Sequence, residues 1–395
     1  MRLYQGTAAN SPSARQALAD AFLLFAAAAD HAANVPQERG ERIASLAIAL
    51  ANFAERNEEE RTALGLAARL RNIGALGNPS LQKGVELPPR AAAMQLADVP
   101  AEGARLCERF AALPPLVADL VRWQSESWDG TGCPDQLRWQ GLPKAAQLLH
   151  LGEKYTEFED PEEAFATILA QSGRAFGPEM TRAFVMWYHT NAGEIEAQSF
   201  PIDALDESRT HVSDVLKVLG ERIDAHNVTP GRWERVGGYA ERVAEALQLP
   251  AEDKNAIALA ALTFAIGELR ERTLESTQFD PLARLGIRLR AKNSERVQTL
   301  LAPFPTFNGI AGIVGSRAEW YDGSGLPKRL RHEKIPVASQ ILAIAIAYDA
   351  MEESFHAHIG KHRNPPLERL SDAAGTQFDP RIVSALQQVI GGARA

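Results

Sequence analysis

Apolar residues recur at spacings of three and four along nearly the whole chain, and no stretch alternates as a half-buried strand would. The pattern predicts an all-α fold. After Pro143, Ala145, Leu148, Leu149 and Gly152 fall on one helical face; after Pro336, Ala338, Ile341, Leu342, Ala345 and Tyr348 do the same. The second run is apolar on every side and so predicts a central helix. Both prolines suit a first helical turn, where a missing amide hydrogen is tolerated. Near the start, the uncharged run Ala21–Ala29 is closed by Asp20 and Asp30. It falls short of the roughly 20 apolar residues of a membrane helix, so no membrane insertion is expected.

Composition narrows this picture. With 395 residues, 45% hydrophobic and 23% charged, the chain is an ordinary globular one of two or three domains. A net charge of −8 argues against a general phosphate-backbone binder, and no nucleic-acid partner is expected. Cys107 and Cys133 provide neither a disulfide framework nor a thiolate metal cage. The polar stretch Met1–Gln16 lacks the features of a secretion signal. A cytoplasmic location is the expectation.

Laid over itself, the chain repeats at a shift of 193. Asn34-Val35 matches Asn227-Val228, Arg39 matches Arg232, and Ile73-Gly74 matches Ile266-Gly267. Asp129-Gly130, Gly132 and Pro134 match Asp322-Gly323, Gly325 and Pro327, and Pro143, Gln147, Leu149 and Tyr155 match Pro336, Gln340, Leu342 and Tyr348. The expected organisation is two copies of one module, residues 1–192 and 203–395, joined by a polar linker at 193–202.

Both Trp128-Asp129-Gly130-Thr131-Gly132-Cys133-Pro134 and Tyr321-Asp322-Gly323-Ser324-Gly325-Leu326-Pro327 resemble the loop that names the HD-GYP family of cyclic dinucleotide phosphodiesterases. Each is followed by a helix ending in Tyr155 or in Tyr348-Asp349-Ala350. Gly375-Thr376-Gln377-Phe378-Asp379-Pro380 is similar to the family's closing motif, with a weaker echo at Phe176-Gly177-Pro178. The resemblance implies a tandem of two HD-domain-like helical bundles. It also implies a site of two or three metal ions, held by histidines and aspartates, that activates water.

The residues at the implied ligand positions are different. In the first copy they are Arg39, Arg71, Asn72, Val99, Gln124, Ser125 and Glu153; in the second they are Arg232, Phe264, Ala265, Asn293, Arg317, Ala318 and Ile346. Metal needs several imidazole or carboxylate donors, so no metal or cofactor is expected and no catalytic residue is assigned. The family's phosphate-facing lysine corresponds to Ala75 and Glu268, and an arginine to Gln147 and Gln340, which disfavours cyclic di-GMP binding at the old site. The arginines allow two readings: a cationic pocket for an anion, or internal cations that fill the vacated positions and pair with Glu126 or Glu153. The second is preferred.

The expectation is therefore a catalytically inactive tandem protein, an interaction or regulatory module of bacterial cyclic dinucleotide signalling. A cyclic di-GMP sensor and a residual metal-dependent phosphodiesterase are the alternatives. The two Asp-Gly-x-Gly-x-Pro loops fit either a turn required for folding or a protein contact, the family's example being a diguanylate cyclase domain. Trp128 and Tyr321 are the candidate anchors. His356, His358 and His362 are spaced for a surface metal site, against the simpler reading of a solvated loop. His150 is read as a packed helix residue.

Overall fold

The structure, a computed structural model, describes residues 13–33, 35–77, 89–227, 229–269, 287–356 and 364–392. It is all-α: among the described residues the only β features are the isolated bridges Ser172 to Phe176 and Ala374 to Phe378. Two compact units divide at His211 and Val212. No single described helix is long and apolar enough to cross a membrane.

The first unit contains α1 (Ala14–Ala33), α2 (Gln37–Phe53), α3 (Glu58–Leu70), α4 (Pro89–Glu108), α5 (Pro115–Trp123), α6 (Lys144–Tyr155), α7 (Pro161–Ala170) and α8 (Pro178–Asn191). Local sequence sets several starts. Asn57 accepts the Glu60 amide at the head of α3, and Asp160 accepts that of Glu162 at the head of α7. Proline opens α5, α7 and α8. Pro143 stands just before α6 as its N-cap rather than inside the first turn. The apolar run in α1 is core: Leu24, Phe25, Ala28 and Ala29 are fully buried, and Phe22 meets Phe110 edge-on at 5.2 Å.

Residues 193–202, expected as a linker, are packed into this first unit. The Tyr155 hydroxyl donates to the Gly193 carbonyl at 2.7 Å, and the Gln198 amide donates to Ser45 Oγ at 2.9 Å. Arg69, buried on α3, donates to Glu41 and to the Gln198 carbonyl and lies over the Phe200 ring. Polar composition marked the segment as a linker, but polar atoms in it bind it to the first unit.

The second unit contains α9 (Val212–Asn227), α10 (Arg232–Ala246), α11 (Ala251–Thr263), α12 (Ile287–Leu301), α13 (Asn308–Gly315), α14 (Val337–His356), α15 (Pro366–Asp372) and α16 (Pro380–Gly392). The expected central helix is α14, which packs on α10, α11, α13, α15 and α16. Ile341, Leu342, Ile344, Ala345 and Met351 on it are fully buried, while Ala338 is half-buried.

Candidate functional site

In the first unit, α1, α2, α6 and the end of α3 bring a polar cluster into the core. Arg71, only 1% exposed, points one guanidinium nitrogen at Asp30 (3.8 Å) and donates another to the Ala68 carbonyl (3.1 Å). Asn72 Nδ2 donates to Asp30 Oδ1 at 2.7 Å. Burial pushes the Asp30 carboxyl above its ordinary range, against the opposing pull of Arg71, Asn72 and Arg39. Arg39 donates to the main-chain carbonyl of Glu153 (3.3 Å) and faces the Glu157 carboxylate (3.7 Å). Gln124 closes the floor by donating to the carbonyls of Arg71 and Val121.

This arrangement alters the expected pairing. Arg71 does take an internal position, and the Glu153 carboxylate attracts it, but its ion-pair partner is Asp30. Glu126 pairs with neither arginine. It is fully buried and accepts the backbone amides of Asp135 (2.6 Å), Gln136 (2.9 Å) and Leu137 (3.1 Å), so it clasps the loop. Its carbonyl bonds His150 Nδ1 at 2.8 Å; since a carbonyl only accepts, Nδ1 carries the proton and Nε2 keeps a lone pair. Burial lowers the His150 pKa and keeps the ring neutral.

In the second unit, Phe264 and Ala265 are buried and Arg232 lies over the Phe264 ring at 5.4 Å. Asp349, 2% exposed at its side chain, pairs with Arg235 (2.6 Å) and Arg232 (3.7 Å). Arg317 and Asn293 are buried, and Ala318 gives its carbonyl to the Leu326 amide. Ile346 is only half-buried, so it does not fill the position as fully as expected.

Sequence comparison missed the two aspartates that shape these clusters. Asp30 and Asp224 each lie in the last turn of their unit's first helix, three residues before its end, and accept, at the main-chain oxygen, the amide five residues on: Val35 at 2.9 Å and Thr229 at 2.8 Å. Asp30 precedes Arg39 by nine residues and Asp224 precedes Arg232 by eight, so a constant shift of 193 does not align them. The signal was the aspartate closing the apolar run. Asn34 and Val228 lie outside the described residues, as do His358, His362 and the side chains of Glu268 and His356.

The two loops follow one plan. Asp129 Oδ1 accepts from the Thr131 amide and hydroxyl, and Asp322 Oδ1 does the same for Ser324. Gly130 and Gly323 have φ of 78° and 81°, with the stems of Arg138 and Arg331 laid where a Cβ would be. A Cβ on Gly132 would strike Ser127 and Glu126, and one on Gly325 would strike Trp320 and Glu319. Pro134 and Pro327 both follow cis peptides. Trp128 and Tyr321, both half-buried, donate their amides to Ala175 and Gln377 of the closing loops. Behind them Gln147 bridges the Leu142 carbonyl and the Gly177 amide, and Gln340 donates to the Ile335 carbonyl.

Residues 217–382 match the HD domain family (HD_5). The chain is 24% identical over 294 residues to 3'3'-cGAMP-specific phosphodiesterase 3 of Vibrio cholerae, covering 69% of this chain and 63% of that protein. It is 26% identical over 190 residues to a cyclic di-GMP phosphodiesterase of Thermotoga maritima, covering 44% and 47% respectively. It therefore spans less than two thirds of these relatives. The crystal structure of a cyclic GMP-AMP-specific phosphodiesterase from V. cholerae, V-cGAP3, shares the fold: the TM-score is 0.67 at 18% identity, over 95% of this chain and 97% of that one. The expectation of a chain without enzymatic activity is corrected by these relatives, which are named as phosphodiesterases and point to an enzyme.

The metal cluster implied by the family does not fit the residues present. The described residues hold no group of three His, Cys, Asp or Glu side chains arranged for a metal ion. A buried guanidinium stands beside Asp30 where a metal would need open donor sites. No reaction step through a metal is derived for this chain.

Proposed function

We propose that this chain is a phosphodiesterase of cyclic dinucleotides in bacterial signalling, built from two HD-type modules whose sites have diverged. The reading is carried by the relatives: the curated proteins it matches are named for cleavage of 3'3'-cGAMP or cyclic di-GMP, the first of them over 69% of this chain. The first unit offers groups suited to such a substrate. Arg39, 27% exposed at its side chain, provides a cation for a phosphate oxygen. His150, one turn before Glu153 on α6, has its pKa lowered by burial and keeps a lone pair on Nε2, which suits it to accept a proton from a water that attacks phosphorus as the ester oxygen leaves.

Purified chain incubated with 3'3'-cGAMP, and separately with cyclic di-GMP, should yield linear dinucleotide by chromatography, in the presence and absence of added manganese. Arg39→Ala and His150→Gln should slow the reaction, the latter by roughly 10²-fold or more if the imidazole is the base. Both nucleotides remaining intact at the level of a protein-free control would overturn the proposal. Cleavage that survives both substitutions would remove the first unit from the reaction.

A further inference from the structure

The loop after Pro327 repeats the backbone of its counterpart after Pro134 and replaces its surface. Positive φ recurs at Gln136 and Arg329 (both 54°) and at Trp139 and His332 (47° and 51°). Glu319 accepts the Lys328 and Leu330 amides at 2.6 and 3.0 Å, as Glu126 does for Asp135 and Leu137. In the first loop Asp135 is also tied to its helix: it takes two hydrogen bonds from Arg122 and one from Trp123 Nε1. At a shift of 193 the corresponding residues in the second unit are Lys328, Gly315 and Ser316. All three members of the tie are gone together, and the anchor carboxylate has become a cation.

The consequence is a basic surface on a loop whose backbone is still held by Glu319. Lys328, Arg329, Arg331 and Lys334 are exposed and form no ion pair among the described residues. Against them stands Glu333, so four cations and one carboxylate give a net of +3 on seven residues, in a chain whose net charge is −8. His332 packs edge-on to Tyr321 at 4.6 Å, and Val337, 36% exposed, lies three residues beyond Lys334 at the start of α14. The first unit carries the complementary stretch. Glu159, Asp160, Glu162 and Glu163 are all exposed within five residues, next to Glu157, which is paired with Arg39 and Lys154 of its own unit; Leu169 (47% exposed) on α7 and Met186 (51%) on α8 lie on two helices that pack together.

We propose that the loop Lys328–Lys334 docks onto the Glu157–Glu163 stretch of a second copy of this chain. Each face joins one sign of charge to exposed apolar side chains, a combination suited to protein association. Seven residues reach at most about 23 Å, enough for the centre of a protein contact. The acidic balance of the remaining surface repels a long polyanion. Under two-fold symmetry the pair forms twice, because each copy carries both halves of it.

Sedimentation velocity on the full chain tests this. The parent should sediment as a dimer at low salt and dissociate toward monomer at roughly 0.5 M salt, where the screening length falls to a few ångströms. The variant Lys328→Glu, Arg329→Asp, Lys334→Glu should be monomeric, and so should Glu159→Lys, Glu162→Lys, Glu163→Lys. An equimolar mixture of the two should recover a dimer. Circular dichroism melts establish folding, and Glu159→Lys alone, outside any helix, replaces the acidic triple variant if α7 is disturbed. A parent that stays monomeric at high micromolar concentration overturns the proposal, as does a dimer indifferent to both variants or a mixture that fails to associate. A monomer that binds a short DNA duplex or polyglutamate through the same loop cations assigns the surface to that occupant instead.

Discussion

At Asp224 burial outweighs everything that favours the charged form. The side chain is 3% exposed; it accepts the Trp233 amide at 3.2 Å and lies near Arg232 and the Thr229 hydroxyl, yet desolvation raises its pKa to about 6. The folded protein therefore keeps this proton up to about pH 6, whereas the unfolded chain releases it near the ordinary value of 3.8. Between those values the native state binds more protons, so stability falls as pH rises, by on the order of 2 to 3 kcal/mol, and is level above the window. Asp224→Asn should remove that slope: its melting temperature relative to the parent should climb between pH 4 and 6 and then stay constant. A difference that is flat over the same range would disprove the assignment. Asp224 and Asp30 were illegible in the repeat because one residue of altered spacing separates their helices from the rest of the pattern. The loop glycines were legible, because positive φ and backbone contact leave no alternative residue.

At the scale of an element, the loops owe their form to a single buried carboxylate each. Glu126 accepts three backbone amides and Glu319 two, which is how a turn with two positive-φ residues outside glycine is held. Glu126→Ala leaves those amides without an acceptor in a closed environment. It should cost about 2 to 4 kcal/mol in chemical denaturation and speed hydrogen exchange at Asp135, Gln136 and Leu137. Exchange unchanged at those three amides would show that the turn holds itself. The helices were largely readable from periodicity, α14 above all, because a stripe or a full apolar surface follows directly from what must be buried. Glu126 and the 193–202 segment were misread for a common reason: composition reports polarity, whereas the partner that satisfies a polar atom lies far away in sequence. Glu126 is bonded nine to eleven residues on, and Gln198 reaches Ser45 across 153 positions.

For the molecule as a whole, the two units reach the same end by different side chains. Where the family resemblance implies metal donors, the first unit holds the Arg71 guanidinium against Asp30, and the second holds the fully buried Phe264 ring beneath Arg232. A cation already covalently attached leaves the Asp30 carboxylate little to gain from a metal, and a buried phenyl ring stabilises by roughly 2 to 3 kcal/mol without any ligand. Neither core then requires an added ion to fold. A metal held by the native state alone would add about 4 kcal/mol at a thousand times its dissociation constant, and its removal would lower the melting temperature accordingly. The prediction is that extensive dialysis against EDTA leaves the melting curve of the full chain where it was, and that manganese or zinc added back does not raise it. Phe264→Ala, by contrast, should destabilise the protein by about 3 to 5 kcal/mol. A melting temperature that drops several degrees on chelation and returns with metal would show that an ion sits in one of these units after all, and that Arg71 and Phe264 have not replaced it.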